Sequence, residues 1–265
     1  MHSHQFHALL STARIANVPS VLSNVWLGLA LGSVAGTGKA GDWMSHQFWA
    51  LSVAGVLLYV SGNFLNDWMD RSWDEQHRPE RALPRRIFTP ELYLRAALFL
   101  MAAGVSVAGA INWQAGGIAV LIVSCIGIYT IWHKRAALAV IPMGFCRALL
   151  PMMGALGTLQ NGASIACCAT VAGVGAISLF CYIVGLSLSA RNESLPNPPA
   201  SAKLFSLCLF AVPPILVMTP FAISQEISLH WLFGVVPYLV WIALCLSILG
   251  NRFPNTFQCS WQGFH

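Results

Sequence analysis

Eight stretches of roughly 20 residues, nearly free of charge, follow one another along this chain. They run Val18–Val34, Phe48–Asn66, Leu92–Ile111, Gly116–Trp132, Leu138–Leu159, Ala163–Leu186, Leu204–Ile223 and Leu229–Leu249. A helix needs about 20 residues to cross a bilayer core. Inside that core no water can satisfy a backbone N–H or C=O, so each segment must close its own hydrogen bonds as a helix. The expected fold is therefore all-α, a polytopic bundle of eight transmembrane helices. The chain is 57% hydrophobic and 9% charged, with a mean hydropathy of +0.66. A soluble domain carries about 25% charged residues, so a soluble globular protein is excluded. No polar insert marks a second domain. The expectation is one domain over 1–250 and a short polar tail, 251–265.

The net charge of +5 is no nucleic-acid signature, because the basic residues are gathered in particular loops. Arg14 precedes the first apolar run. Arg71, Arg78, Arg81, Arg85 and Arg86 follow the second, Lys134 and Arg135 the fourth, Arg191 and Lys203 the sixth, and Arg252 the eighth. With eight helices all of these fall on one side, opposite Lys39. By the excess of lysine and arginine on cytoplasmic loops, that side and the N-terminus are expected to be cytoplasmic. The start, MHSHQFHALL, lacks the layout of a cleaved secretory signal. Its His2, His4 and His7 are read as part of a flexible terminus and not as a metal site. Seven of the eight cysteines lie inside apolar segments, and no CxxC pair occurs. They read as small packing residues in helices.

The chemistry concentrates where the second apolar run ends. Asn66–Asp74 reads NDWMDRSWD. Carboxylates at the mouth of a membrane helix are costly unless they bind something. Asp67, Asp70 and Asp74 are spaced i, i+3, i+7 and share one helical face, with Asn63 and Asn66 on the same side. Three acids and two amides form a hard-oxygen set suited to Mg²⁺. The plainer alternative is a solvated helix end. Arg78 and Arg81 follow at once; they read either as donors to the oxygens of a metal-bridged diphosphate or as a basic cytoplasmic anchor. Arg147 lies inside an apolar run. It either faces a polar cavity or forms an ion pair that holds helices together. Lys134, at a helix end, either serves the same site or snorkels to the interface.

NDWMDRSWD followed by RPERALP resembles the first aspartate-rich motif of the UbiA superfamily of intramembrane prenyltransferases, NDxxDxxxD and then RPxRP. Ala82 stands where that pattern has its second proline. RIANVPSVLSN, Arg14–Asn24, resembles the family's first helix, in which an asparagine faces the cavity. YTIWHKR, Tyr129–Arg135, and FCRALLPMMGAL, Phe145–Leu156, resemble the end of helix 4 and helix 5. The resemblance covers roughly Arg14 to Glu193. It implies a central apolar cavity opening at a cytoplasmic polar cap. It also implies nine helices where eight are counted, so the C-terminal end is read as short, altered or truncated.

The second aspartate-rich motif of the family is not matched. GLSLSARNES, Gly185–Ser194, holds no aspartate, and Glu193 is its single acid beside Arg191 and Asn192. This resembles a bacterial branch, EboC-like proteins among them, with Ser-Arg-x-Glu or Ala-Arg-x-Glu at that place. The function implied is Mg²⁺-dependent transfer of a prenyl group from a prenyl diphosphate to an aromatic or lipid acceptor, within a bacterial inner (plasma) membrane. Asn66, Asp67, Asp70, Asp74 and Glu193 would hold the metal. Asn24, Asn63, Asn66, Arg78, Arg81, Lys134 and Arg191 would bind the diphosphate. Asp67, Asp70, Arg147 and Glu193 would act in catalysis. The rival reading is a catalytically degenerate membrane protein that binds or helps transport an isoprenoid or lipid. A CDP-alcohol phosphotransferase also uses membrane aspartates and metal, but its DGxxAR element is broken by Arg71.

Overall fold

The computed structural model describes residues 2–37, 45–132, 139–159, 164–193 and 200–224, with a few single positions beyond. It is helical throughout the described elements: α1 His2–Ala13, a 3-10 turn Ile15–Asn17, α2 Val18–Thr37, α3 His46–His77, α4 Pro90–Ile111, α5 Trp113–Trp132, α6 Val140–Gly157, α7 Ile165–Glu193 and α8 Ala200–Ser224. Seven of the eight expected membrane segments are thus found as helices, α2 to α8. The eighth, Leu229–Leu249, lies outside the described residues apart from single helical positions such as Val236 and Leu239. Six helical stretches are long and apolar enough to cross a membrane; the apolar part of α8 among the described residues, Leu204–Leu216, is shorter. One expectation is corrected. The N-terminus, read as flexible, is helix α1, and its buried Thr12 shares a 2.8 Å hydrogen bond with the fully buried Tyr93 of α4.

The chain divides into two compact units, Met1–Pro213 and Pro214–His265. In the first, α3 packs chiefly on α4, and α6 packs on α2, α5 and α7. Local chemistry sets the helix starts. Ser45 caps α3 by accepting from the N–H of Phe48, and Thr89 caps α4 at Leu92 with Pro90 in the first turn. Small residues set the closest crossing. A Cβ at Gly28 would run into the backbone of Pro151, and one at Gly154 into the carbonyl of Val25. Glycine at these two places lets the α2 and α6 backbones touch, as lipid-embedded helices require.

The core follows helical spacing. Tyr93, Ala97, Met101, Gly104 and Ala108 form the buried stripe of α4, and Ala115, Ala119, Ile122, Ile126 and Thr130 that of α5. The outward faces are apolar as well; Phe99 and Trp113 are 72% and 76% exposed. In water such exposure would mark an interaction surface. On a bundle of long apolar helices it marks the lipid-facing wall.

Helix α3 positions the site. Its 32 residues span about 48 Å at ~1.5 Å per residue, against a hydrocarbon core of about 30 Å. The last several turns therefore stand beyond the apolar layer. The buried stripe continues along them but changes chemistry, from Leu51, Ala54 and Leu58 through Ser61 and Phe64 to Asp67, Asp70 and Asp74.

Candidate active site

The three aspartates are buried: Asp67 is 9% exposed, Asp70 7% and Asp74 2%. Carboxylates so enclosed need partners, since desolvating a bare charge costs on the order of several kcal/mol. Each has one. Asn66 Nδ2 donates to Asp70 Oδ2 at 3.2 Å. Arg81 Nη1 donates to Asp74 Oδ2 at 2.7 Å and to Asp67 Oδ1 at 3.3 Å. Arg14 Nη2 lies 3.7 Å from the same Asp67 oxygen.

The segment after α3 brings Arg81 back over the acids. Arg78 N bonds to Asp74 O and ends the helix. Tight turns follow, with Arg81 N on Arg78 O, Arg85 N on Arg81 O and Arg86 N on Leu83 O. Leu83 is buried in a small apolar cluster with Ala13, Phe64, Tyr93 and Ala97. This anchor fixes the loop across the end of α3.

Arg14 reaches the site by a different device. Its backbone is left-handed, with φ 49° and ψ 51°, a conformation uncommon for any residue with a side chain. It breaks the chain between α1 and the 3-10 turn. Asn63 Nδ2 donates to Ala13 O at 3.1 Å and the Tyr59 hydroxyl to Arg14 O at 3.3 Å, so α3 fastens the break in place.

Below the acids lies a cavity of about 150 Å³ between the 3-10 turn, α3, α5 and α6. Its rim is polar, with Arg14, Asn17, Asn63, Asn66, Tyr129 and Arg147; its floor is apolar, with Leu58, Ile122, Ile126 and Leu150. Arg147 donates from Nη1 to Ser20 Oγ at 3.0 Å, and its guanidinium carbon lies 5.2 Å from the centre of the Tyr59 ring. Among the described residues it has no carboxylate partner. Of the two readings of Arg147, the cavity-facing one is the one seen.

The expected residues divide into three groups. Asp67, Asp70, Asp74, Asn63, Asn66, Arg81 and Arg147 are brought to this end of the bundle. Asn24 and Arg78 are not brought into it. Asn24 is half-buried on α2 and does not line the cavity, whereas Asn17, two turns earlier, does. Arg78 is exposed, its guanidinium 5.8 Å from the ring centre of Trp73 and apart from the acids. Lys134 lies outside the described residues, and Arg191 and Glu193 are described only as the helical end of α7. Asn17, Tyr59 and the site role of Arg14 were missed by sequence reasoning. The left-handed break that aims Arg14 has no sequence signature.

Mg²⁺ fits the donor set in chemistry. Asn66 Oδ1 and Asp74 Oδ1 are buried hard oxygens without a hydrogen-bond partner among the described residues. No three His, Cys, Asp or Glu side chains among the described residues converge on one point. The expected convergence of Asp67, Asp70 and Asp74 on one ion is therefore not seen among the described residues; the two unpartnered oxygens suit a cation that takes one or two protein ligands and completes its shell with water and phosphate oxygens, as Mg²⁺ does.

The family model of the UbiA prenyltransferase family matches residues 24–256. Two solved structures share the fold. One is a chain from the structural study of digeranylgeranylglyceryl phosphate synthase in membranes, 16% identical, with a TM-score of 0.65 over 94% of this chain and 89% of that one. The other is an apo UbiA homologue from Aeropyrum pernix K1, 13% identical, with a TM-score of 0.72 over 88% of this chain and 90% of that one. No curated protein matches the chain in sequence.

Proposed function

Because this chain belongs to the UbiA prenyltransferase family, we propose that it transfers a prenyl group from a prenyl diphosphate to an aromatic or lipid acceptor in an Mg²⁺-dependent reaction. The observation that carries this reading is the stacking of a buried acid rank on a cavity with a cationic rim and an apolar floor. An amphipathic ligand with an anionic head and a hydrocarbon tail is complementary to that gradient.

In this reading Asp67, Asp70 and Asp74, with the amide oxygen of Asn66 and with Glu193 from α7, would supply the oxygens that hold the metal, one or two of them directly and the others through its water shell. Bound there, Mg²⁺ supplies Lewis-acid neutralisation of diphosphate charge. Arg14 and Arg147 orient the diphosphate from the cavity rim. As the allylic C1–O bond breaks, its electron pair stays with the leaving diphosphate, and guanidinium groups already in place stabilise the charge that develops. The rings of Tyr59 and Tyr129 stand at the level of the rim, where a π face favours an allylic cation. The apolar floor keeps water from that cation. The acceptor bonds to C1 and loses a proton. Arg191 and Lys134 are further diphosphate contacts in this scheme, and Asn24 and Arg78 are peripheral to it. In this reading the protein sits in a bacterial plasma membrane, as the resemblance of Gly185–Ser194 to a bacterial branch suggests, and the lysine and arginine asymmetry favours a cytoplasmic acidic end and N-terminus.

A second reading is favoured by one feature. Gly185–Ser194 holds no aspartate, so the metal chemistry is weighted to α3. A protein that kept the pocket and lost turnover would bind an isoprenoid or lipid without transferring it. Purified protein in nanodiscs, given radiolabelled prenyl diphosphates and a panel of aromatic and lipid acceptors, separates the two. Transfer that stops with EDTA and returns with Mg²⁺ supports the enzyme. Tight binding with no product from any acceptor supports the second reading.

A further inference from the structure

We propose that Arg81 is an exchangeable counter-ion. It holds the gap between Asp67 and Asp74 until a diphosphate draws it away, so a divalent cation and a diphosphate bind strongly only together. This rests on the reading of the site as a metal–diphosphate centre.

One atom, Arg81 Nη1, bridges the two carboxylates, at 2.7 Å from Asp74 Oδ2 and 3.3 Å from Asp67 Oδ1. A single positive centre between two acids is the place and the charge that a bound cation would take. The remaining oxygen of Asp74, on a side chain 2% exposed, has no partner among the described residues, and neither has Asn66 Oδ1. Donors for a metal are therefore present, but the charge between them is already filled. A guanidinium cannot lose its proton, and it repels a divalent cation at contact distance. The metal must displace it.

Displacement is mechanically simple and electrostatically costly. Arg81 comes from the loop after α3 and its side chain is 22% exposed, so it can turn outward while Leu83 stays anchored. It then needs another anion. Diphosphate oxygens suit it, since they accept the planar guanidinium fork in two parallel bonds. Arriving alone, a metal would strand Arg81; arriving alone, a diphosphate would face three carboxylates. Each ligand removes the cost of the other. Such coupling is reciprocal: the metal raises diphosphate affinity by the factor by which diphosphate raises that of the metal. Arg14, 3.7 Å from Asp67 and 42% exposed, is the looser contact and need not move.

The test uses the full-length protein in nanodiscs. Mn²⁺ binding is followed by electron paramagnetic resonance with and without inorganic pyrophosphate, the Mn²⁺–pyrophosphate complex in solution being measured separately. The parent is expected to bind Mn²⁺ about ten-fold more tightly when pyrophosphate is present, within the usual range of coupling. Arg81→Gln is expected to bind Mn²⁺ alone about ten-fold more tightly than the parent, and to gain less than about two-fold from pyrophosphate. Arg81→Lys guards against misfolding of the neutral variant. It keeps the charge in the gap but loses the planar fork, so metal alone stays weak and the pyrophosphate gain falls at least about three-fold. Parent-like coupling in both variants overturns the exchange while leaving the metal–diphosphate site standing. Failure of the parent to bind Mn²⁺ with or without pyrophosphate overturns both.

Discussion

Helices α3 and α7 use the same backbone device to different ends. They run 32 and 29 residues, about 48 and 44 Å, and both are longer than a ~30 Å hydrocarbon layer is deep. Each therefore projects a polar end. The end of α3 carries three buried aspartates; Arg81 bridges Asp67 and Asp74, and Asn66 bonds Asp70. The end of α7 carries two serines, Arg191, Asn192 and Glu193, with formal charges that cancel. In the proposed reading the two polar ends share a metal–diphosphate centre, but only one of them brings net negative charge. Work at this site is expected to fall unequally on the two halves.

The sharpest way to break that comparison is to remove acids from α3. Asp67→Ala or Asp70→Ala is expected to lower transfer about 10²–10³-fold, the usual cost of losing one preorganised charge contact, and to abolish Mg²⁺-dependent diphosphate binding. Circular dichroism should show the helices intact. Unchanged Mg²⁺-dependent binding of a prenyl diphosphate in either variant would remove the site from α3. Next in size is Arg147→Ala. A charge-assisted hydrogen bond is worth about 1.5–3 kcal/mol, so diphosphate affinity should fall roughly 10- to 100-fold, as read by filter binding of labelled substrate.

The α7 half should respond less. Arg191→Ala is expected to weaken prenyl diphosphate about ten-fold and the acceptor hardly at all; equal losses for both ligands would make Arg191 structural. Glu193→Gln is expected to lower Mg²⁺-dependent turnover beyond the roughly 1 kcal/mol ceiling of an exposed charge. Kinetics identical to the parent would leave α3 alone with the metal. The smallest effect belongs to Arg78→Ala, since its guanidinium stacks on Trp73 outside the acid rank. Transfer should change less than about two-fold, within the scale of a surface substitution. Labelling a cysteine at the same position from outside intact cells would overturn the cytoplasmic placement of the loop.

Much of the fold was legible because a bilayer leaves the backbone few choices. The apolar runs from Val18 to Ile223 mark seven helices to within a few residues at most of their ends, and only their outer turns escape. The spacing of Asp67, Asp70 and Asp74 gave their common face. The helical N-terminus was not legible. The segment is short and rich in histidine, and α1 is held by contacts remote in sequence: the Thr12–Tyr93 bond, the Asn63–Ala13 bond and the packing of Ala13 against Phe64 and Tyr93. Asn24 was named from the family resemblance alone, whereas Asn17, beside the left-handed turn at Arg14, is the asparagine that lines the cavity.

What the sequence by itself determined is therefore periodic and local: membrane helices from the length of apolar runs, an acid face from the 3.6-residue repeat, and the deficit of acids at the end of α7. The tertiary structure alone decided which cations meet those acids. Arg14 meets Asp67 from far along the chain, and Arg147 bonds Ser20 from 127 positions away. Arg81 lies within reach of Asp74 in sequence, yet it turns back only because Leu83 is buried against α3 and α4. No repeat in a chain encodes such pairings. They arise when packing of the apolar faces fixes the helix ends, and the charges left at those ends must then find one another or remain unpaired out of water.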